Sequence, residues 1–201
     1  MTHQVGPHDD SWLRGLLDAG LVGLYAEAES LLVLPSPGPG VRANERAVAA
    51  RLAIHVDREL QRQDCDLTVD VEYCRSGPSI NAKTWTPPAA SDPTLIYPDL
   101  IVHRRGDPDA NLLAVEVKRG IPGADEASFD EQKMQALTQD RWSGPDDVYQ
   151  QSAYRLGLCL QLEQDQARLY WFADGAGESM VPWHSTAAQA PPSEPGSCGC
   201  P

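Results

Sequence analysis

The chain has 201 residues, 41% of them hydrophobic, which is enough for one domain with a substantial core. Its net charge of −13 argues against strong non-specific binding to nucleic acid, because that binding depends on neutralising phosphate charge. No apolar stretch approaches the roughly 20 residues of a membrane span, and the N-terminus lacks the basic and apolar regions of a signal peptide. The five cysteines are an odd number, which favours reduced thiols over a disulfide framework. We therefore expect a cytoplasmic protein with no membrane segment.

The first predicted elements in chain order are helical. Residues 10–33 carry a leucine stripe that predicts one or two helices, and the Pro/Gly-rich residues 35–40 predict a loop. Residues 44–61 have the clearest helical pattern, because their apolar side chains recur three or four positions apart. Glu45 lies three residues before Val48 and seven before Leu52, so it shares the apolar face of this helix.

A strand and a long loop follow. Residues 67–74 alternate between apolar and polar side chains, which predicts a strand. Asp70 and Glu72 lie on its polar face, and this placement fits either an outer sheet surface or an active site. Residues 76–94 are rich in Pro, Ser and Asn and predict a loop. Because this loop is longer than ordinary connections, we expect it either to face a substrate or to be partly mobile.

The most informative segment is a predicted antiparallel hairpin. Two apolar runs, Leu95–Val102 and Leu112–Val117, are joined by a Gly-Asp-Pro-Asp turn. Alternation places Glu116 and Lys118 on one face of the second strand, and Asp99 interrupts the first. Charges inside strands this apolar cost several kcal/mol unless they pair or coordinate a cation. Two carboxylates on neighbouring strands with a lysine beside them would suit a hard divalent cation and a water.

Three further elements complete the pattern. Gly120–Gly123 predicts a turn, and Ser128–Glu131 resembles a capping box that begins a helix ending near Leu137. Residues 153–162 and 167–173 predict two strands joined by an acidic turn. From about residue 186 the composition predicts a disordered tail.

Pro98-Asp99, a spacer of sixteen residues and Glu116-Val117-Lys118 together resemble the PD-(D/E)xK phosphodiesterase superfamily, the restriction-endonuclease-like nucleases. The resemblance covers about residues 42–173. It implies an α/β fold with a mixed central sheet of about four to five strands flanked by helices. The expected organisation is an N-terminal helical segment with a Pro/Gly loop (1–41), a nuclease-like domain (42–185) and the tail (186–201).

The resemblance also implies a set of site residues. Asp99 and Glu116 would each give a carboxylate oxygen to Mg²⁺, or to Mn²⁺, and the backbone carbonyl of Val117 would give a third ligand. Glu45 would complete the metal site directly or through a water. Lys118 would act beside Glu45, Asp99 and Glu116 in catalysis, either as a base or, as we favour, as a cation that positions the attacking water.

Basic residues near the hairpin are the candidates for contact with a nucleic acid. Residues 42–119 hold 11 Lys/Arg and 12 Asp/Glu, so most of the acidic excess lies elsewhere in the chain. A locally basic face on an acidic body is compatible with a phosphodiester substrate. The candidate residues are Arg75, Lys83, Arg104, Arg119 and, on the helix that follows the hairpin, Lys133.

Two functions follow from this pattern. The first is a Mg²⁺-dependent endo- or exonuclease that cuts nucleic acid, expected to be DNA, in restriction, repair or defence. The alternative is a catalytically silent nuclease-fold module that binds or regulates through a protein partner. The acidic balance outside residues 42–119 favours that alternative.

Overall fold

A computed structural model of the chain describes residues 9–27, 44–72, 84–85, 92, 94–139 and 153–184. Within these ranges there are three α-helices, namely α1 (Asp10–Glu27), α2 (Glu45–Arg62) and α3 (Ala124–Thr138). The nine strands are β1 (Thr68–Val71), β2 (Thr84–Trp85), β3 (Thr94–Leu95), β4 (Leu100–His103), β5 (Asn111–Arg119), β6 (Leu156–Leu162), β7 (Gln166–Ala173), β8 (Ala176–Gly177) and β9 (Val181–His184). None of the helices in the described ranges is long and apolar enough to cross a membrane. The predicted tail lies outside the described residues.

Seven strands form the main sheet, in the order β1-β4-β5-β6-β7-β8, with β9 also paired to β7. The β5–β6 pair is parallel and the other pairs are antiparallel, which confirms the predicted α/β class and the mixed sheet. The predicted number of four to five strands is wrong. β8 has only two residues and β9 contains a proline, so neither has the length or alternation by which strands are recognised in a sequence.

The predicted hairpin is confirmed as β4 and β5. Leu100 pairs with Val115 and Val102 with Leu113 in an antiparallel register. The turn between them contains a short 3₁₀ helix at Pro108–Ala110. The loop predicted for residues 76–94 is wrong in one respect, because β2 and β3 pair within and beside it; most of its other residues lie outside the described ranges.

The two faces of the sheet are covered by different helices. The larger core packs α1 and α2 against one face, and β5 contributes Leu113, Val115 and Val117 to it. The smaller core lies on the other face, where α3 packs over Ala114 of β5 and Phe172 of β7. Because alternate residues of β5 point to opposite faces, Glu116 and Lys118 lie on the α3 side.

Helix α3 connects β5 to the parallel strand β6 and lies close to the sheet. A side chain at Gly157 of β6 would approach Thr138 Cγ2 to 3.0 Å, so glycine lets the helix and the strand come together. The helix begins at Ala124, after an N-cap at Gly123, and the predicted start at Ser128 is therefore wrong. Ser128 lies within the helix, where its hydroxyl accepts a hydrogen bond from Gln132 Nε2 at 3.2 Å. The acidic residues Asp125 and Glu126 lie in the first turn of α3, where they suit the positive end of its dipole, and Gly123 provides no side-chain cap.

Candidate active site

Four of the residues singled out by the sequence lie around the end of β5, on or beside the face that α3 covers. Glu116 and Lys118 belong to β5 itself, Asp99 precedes β4 directly, and Glu45 is the first residue of α2. Hydrogen bonds to backbone amides of β5 tie Asp99 and Glu45 to that strand. The structure therefore brings together residues that are separated by as many as 73 positions in the chain.

Asp99 is tied to the backbone of β5. Its Oδ2 accepts a hydrogen bond from the Val117 amide at 2.8 Å. In a strand the N–H and C=O of one residue point to the same side, so the Val117 carbonyl also points toward the edge that Asp99 occupies. Burial raises the pKa of Asp99, although the Val117 amide and the charges of Lys133 and Lys118 oppose that rise.

Glu45 joins the start of α2 to the end of β5. Its Oε1 accepts a hydrogen bond from the Arg119 amide at 3.2 Å, and its Oε2 lies 3.9 Å from Lys118 Nζ. The preceding residue, Asn44, is the N-cap of α2, and its side chain accepts a hydrogen bond from the Arg46 amide. This cap fixes where the helix begins and so holds Glu45 next to the strand.

Lys118 lies among four carboxylates from three elements. Its Nζ is 3.0 Å from Glu126 Oε1, 3.5 Å from Asp130 Oδ2, 3.8 Å from Glu116 Oε1 and 3.9 Å from Glu45 Oε2. Burial by itself lowers the pKa of Lys118, but the hydrogen bond to Glu126 and the charges of the other three acids outweigh it and raise the pKa above its ordinary value. With these acids around it, Lys118 is an ammonium ion at neutral pH.

Glu116 is the most deeply placed of the predicted acids, with 7% of its surface exposed. Its Oε2 is in contact with the ammonium of Lys133, which is itself 8% exposed. Burial raises the pKa of Glu116 to about 7, the charges of Asp99 and Asp130 add to the rise, and Lys133 opposes it. Asp99 is held beside this part of β5 by its hydrogen bond to the amide of Val117, the residue that follows Glu116.

The sequence reasoning missed two site residues, Glu126 and Asp130 of α3. Asp130 is 5% exposed, and burial raises its pKa against the opposing charges of Lys118 and Lys133. A signal was present in the sequence, because Glu126 and Asp130 are four residues apart and Met134 follows at the same spacing. Residues at this spacing lie on one face of a helix, so the two acids share the face of the buried Met134. Glu45 shares the apolar face of α2 for the same reason.

The cluster contains oxygen donors of the type that a hard divalent cation takes. The cluster has five carboxylates, from Glu45, Asp99, Glu116, Glu126 and Asp130, against the ammonium groups of Lys118 and Lys133. Oxygen ligands of this kind, with the Val117 carbonyl beside Asp99, are those that Mg²⁺ takes in proteins. Among the described residues no three His, Cys, Asp or Glu side chains are arranged as a ready metal site.

The residues predicted to contact nucleic acid have varied surroundings. Arg104 pairs with Asp66 at 2.9 Å and with Asp107 at 3.3 Å at the far end of β4. Lys133 is buried against Glu116, and Arg119 follows Lys118 at the end of β5. The other two predicted contacts, Arg75 and Lys83, lie outside the described residues.

The two acids of β1 have separate partners. Asp70 accepts a hydrogen bond from Arg105 Nε at 2.9 Å and lies 2.8 Å from His103 Nε2, so it belongs to an ion cluster on β1 and β4. The carboxylate of Glu72 pairs with Arg46 at 2.6 Å, and its amide donates a hydrogen bond to the Asp99 carbonyl at 3.3 Å. Glu72 thus contacts the backbone of a predicted site residue.

Comparison of the chain with protein-family models, with curated proteins and with solved structures finds no match.

Proposed function

We propose that the protein is a metal-dependent nuclease that hydrolyses phosphodiester bonds in DNA, with a restriction-endonuclease-like fold and Mg²⁺ as its cofactor. Restriction, repair or defence against foreign DNA are the processes in which such an activity would serve. The proposal rests on chemistry at one site and on the resemblance of Pro98-Asp99 and Glu116-Val117-Lys118 to the PD-(D/E)xK pattern.

One observation carries the proposal. Asp99 accepts a hydrogen bond from the amide that follows Glu116 in β5, and Lys118 extends from the same face of that strand as Glu116 into a group of carboxylates. Two of the five acids, Glu116 and Asp130, are buried, and Asp99 is partly buried; burying such charges is unfavourable unless positive charge accompanies them. Five carboxylates face two ammonium groups in this cluster, and a surplus of carboxylate oxygens is a property of sites that bind cations.

The roles of the residues follow from their contacts. Asp99, Glu116 and the Val117 carbonyl would hold the metal, and Glu45 would complete its surroundings. When bound, the ion would supply positive charge to the phosphoryl oxygens and lower the pKa of a water. Lys118, which stays protonated, would donate hydrogen bonds to the attacking water and oppose the charge that develops on the phosphate.

Cleavage assays test this function. The wild type should cut duplex DNA in Mg²⁺ or Mn²⁺, and single-stranded DNA and RNA of the same sequence establish the substrate class. Asp99→Asn and Glu116→Gln should abolish cleavage, because each removes a ligand charge. Asp109→Asn is the matched control, since it removes an exposed carboxylate from the turn of the same hairpin. Cleavage that persists in both site variants would refute the proposal.

The alternative function is a silent module of the same fold that acts through a protein partner. The contacts of Lys118 and Lys133 favour it, because these ammonium groups already neutralise part of the acidic cluster without a metal. The net charge of −13 also favours a partner other than nucleic acid. This reading requires that the wild type neither cleaves any of the three substrates nor binds Mn²⁺ in titration calorimetry.

A further inference from the structure

Helix α3 supplies the nearest partners of Lys118, although the helix is no part of the predicted motif. The distances from Lys118 Nζ to Glu126 and Asp130, 3.0 and 3.5 Å, are shorter than those to Glu116 and Glu45, 3.8 and 3.9 Å. A lysine side chain is long and flexible, so the position of its ammonium depends on the acids that surround it. In this structure those acids belong mainly to the helix.

The stability of α3 does not by itself account for a buried aspartate at position 130. Aspartate is a weak helix former, and this one lies inside α3 with 5% of its surface exposed. Its buried Oδ2 accepts no hydrogen bond from any residue in the described part of the chain. The closest cation to that oxygen is Lys118, at 3.5 Å.

The helix itself is held firmly over the strands. Met134 and Leu137, one and two turns beyond Asp130, are buried in the smaller core, and Gly157 lets β6 approach Thr138. The backbone that carries Glu126 and Asp130 is therefore anchored independently of Lys118. Acids on such a support can hold a flexible ammonium in one place.

We propose that Asp130 and Glu126 are positioning residues that hold the Lys118 ammonium beside the site of hydrolysis. This inference rests on the proposed nuclease function. Because α3 supplies the nearest acids of Lys118, this lysine does not compete closely with a metal ion for Asp99 and Glu116, and Lys133 is the ammonium group that competes for Glu116. Both helix residues act through Lys118 and touch neither the metal nor the substrate.

Two variants and one control test the positioning role. Asp130→Asn keeps the shape of the side chain and removes its charge, and Glu126→Gln does the same at a half-exposed position where the fold is not at risk. Asp125→Asn removes an exposed charge from the first turn of the same helix. Each helix variant should lower kcat at least about 10-fold and leave KM and Mn²⁺ affinity unchanged, whereas Asp125→Asn should match the wild type.

A second arm asks whether the effect passes through Lys118. In a Lys118→Met background, Asp130→Asn should cause no further loss of kcat, because the group it positions is already absent. Losses that multiply would overturn the inference. So would a change in KM with kcat unaltered, since that result would assign the acids to substrate binding.

A third arm does not depend on cleavage. Lys118 has 16% of its side chain exposed, and releasing it should make it react faster with acetic anhydride, as measured by peptide mass spectrometry. We expect a rise of at least about 10-fold in both helix variants and none in Asp125→Asn. Unchanged labelling would overturn the inference even if the protein is a nuclease. If labelling rises in the variants but the wild type cleaves no substrate, the proposed nuclease function is refuted. The contact of Asp130 and Glu126 with Lys118 would then be confirmed, but it would have no catalytic role.

Discussion

Replacing Glu116 by glutamine should flatten the dependence of stability on pH. The pKa of Glu116 is raised by burial from its ordinary value of 4.5 to about 7 in the folded protein. Below pH 4.5 the group is protonated in both states, and between 4.5 and 7 it is protonated mainly in the folded state. Its contribution to stability is therefore fully present below pH 4.5 and is lost as the pH rises through 7. Glutamine has no such titration, so Glu116→Gln removes this contribution.

The size of the effect follows from the change in pKa. A rise from 4.5 to about 7 corresponds to about 3 kcal/mol in the free energy of unfolding, at about 1.4 kcal/mol per pH unit. Because only 7% of Glu116 is exposed, solvent screening reduces this value little. Urea denaturation in EDTA, repeated from pH 5 to 8.5, measures it. The wild type should lose about 2 to 3 kcal/mol more than Glu116→Gln over that range.

The comparison of slopes is more informative than stability at one pH. Glu116→Gln also removes the charge partner of Lys133, and this loss shifts the free energy of unfolding of the variant at every pH. The slope of that free energy against pH is therefore the quantity to compare. Asp125→Asn, which removes an exposed acid from α3, should retain the wild-type slope. Parallel curves for the wild type and Glu116→Gln would refute the reasoning, because they would mean that burial does not alter the ionisation of Glu116.

Three further substitutions give distinct outcomes. Asp99→Asn keeps an acceptor for the Val117 amide but removes one of several close negative charges. In EDTA the melting temperature of this variant should therefore equal or exceed that of the wild type. A clear decrease would mean that the charge of Asp99 stabilises the fold. Lys118→Met should bind Mn²⁺ like the wild type in calorimetry but cut at least about 10²-fold more slowly, and equal rates would assign the cleavage to another site or to a contaminant. Lys133→Met should raise Mn²⁺ affinity at least about 10-fold, because its ammonium no longer competes for Glu116, and weaker binding would contradict that competition.

Local pattern was sufficient for much of the fold. The β5 strand, the α2 helix and the β6–β7 pair are confirmed close to their predicted limits, because their periodicity depends on neighbours a few positions away. The partner strand β4 begins at Leu100, five residues after its predicted start at Leu95. The start of α3 was predicted four residues late. The residues Ser128–Glu131 match the sequence pattern of a capping box, but the same residue types also occur inside a helix. The strands β8 and β9 were missed because their pairing with β7 is decided by tertiary contact.

Part of the candidate site could likewise be predicted from local pattern, and the rest depends on tertiary contacts. Alternation along β5 is a property of any strand, so the sequence by itself determined that Glu116 and Lys118 share a face. The positions of Glu126, Asp130 and Lys133 around them depend on how α3 is rotated and how closely it approaches the sheet. Contacts with residues far away in the chain set that rotation, Gly157 among them. Only the tertiary structure could therefore decide that Lys118 lies closest to acids outside the motif and that Glu116 is paired with a second lysine.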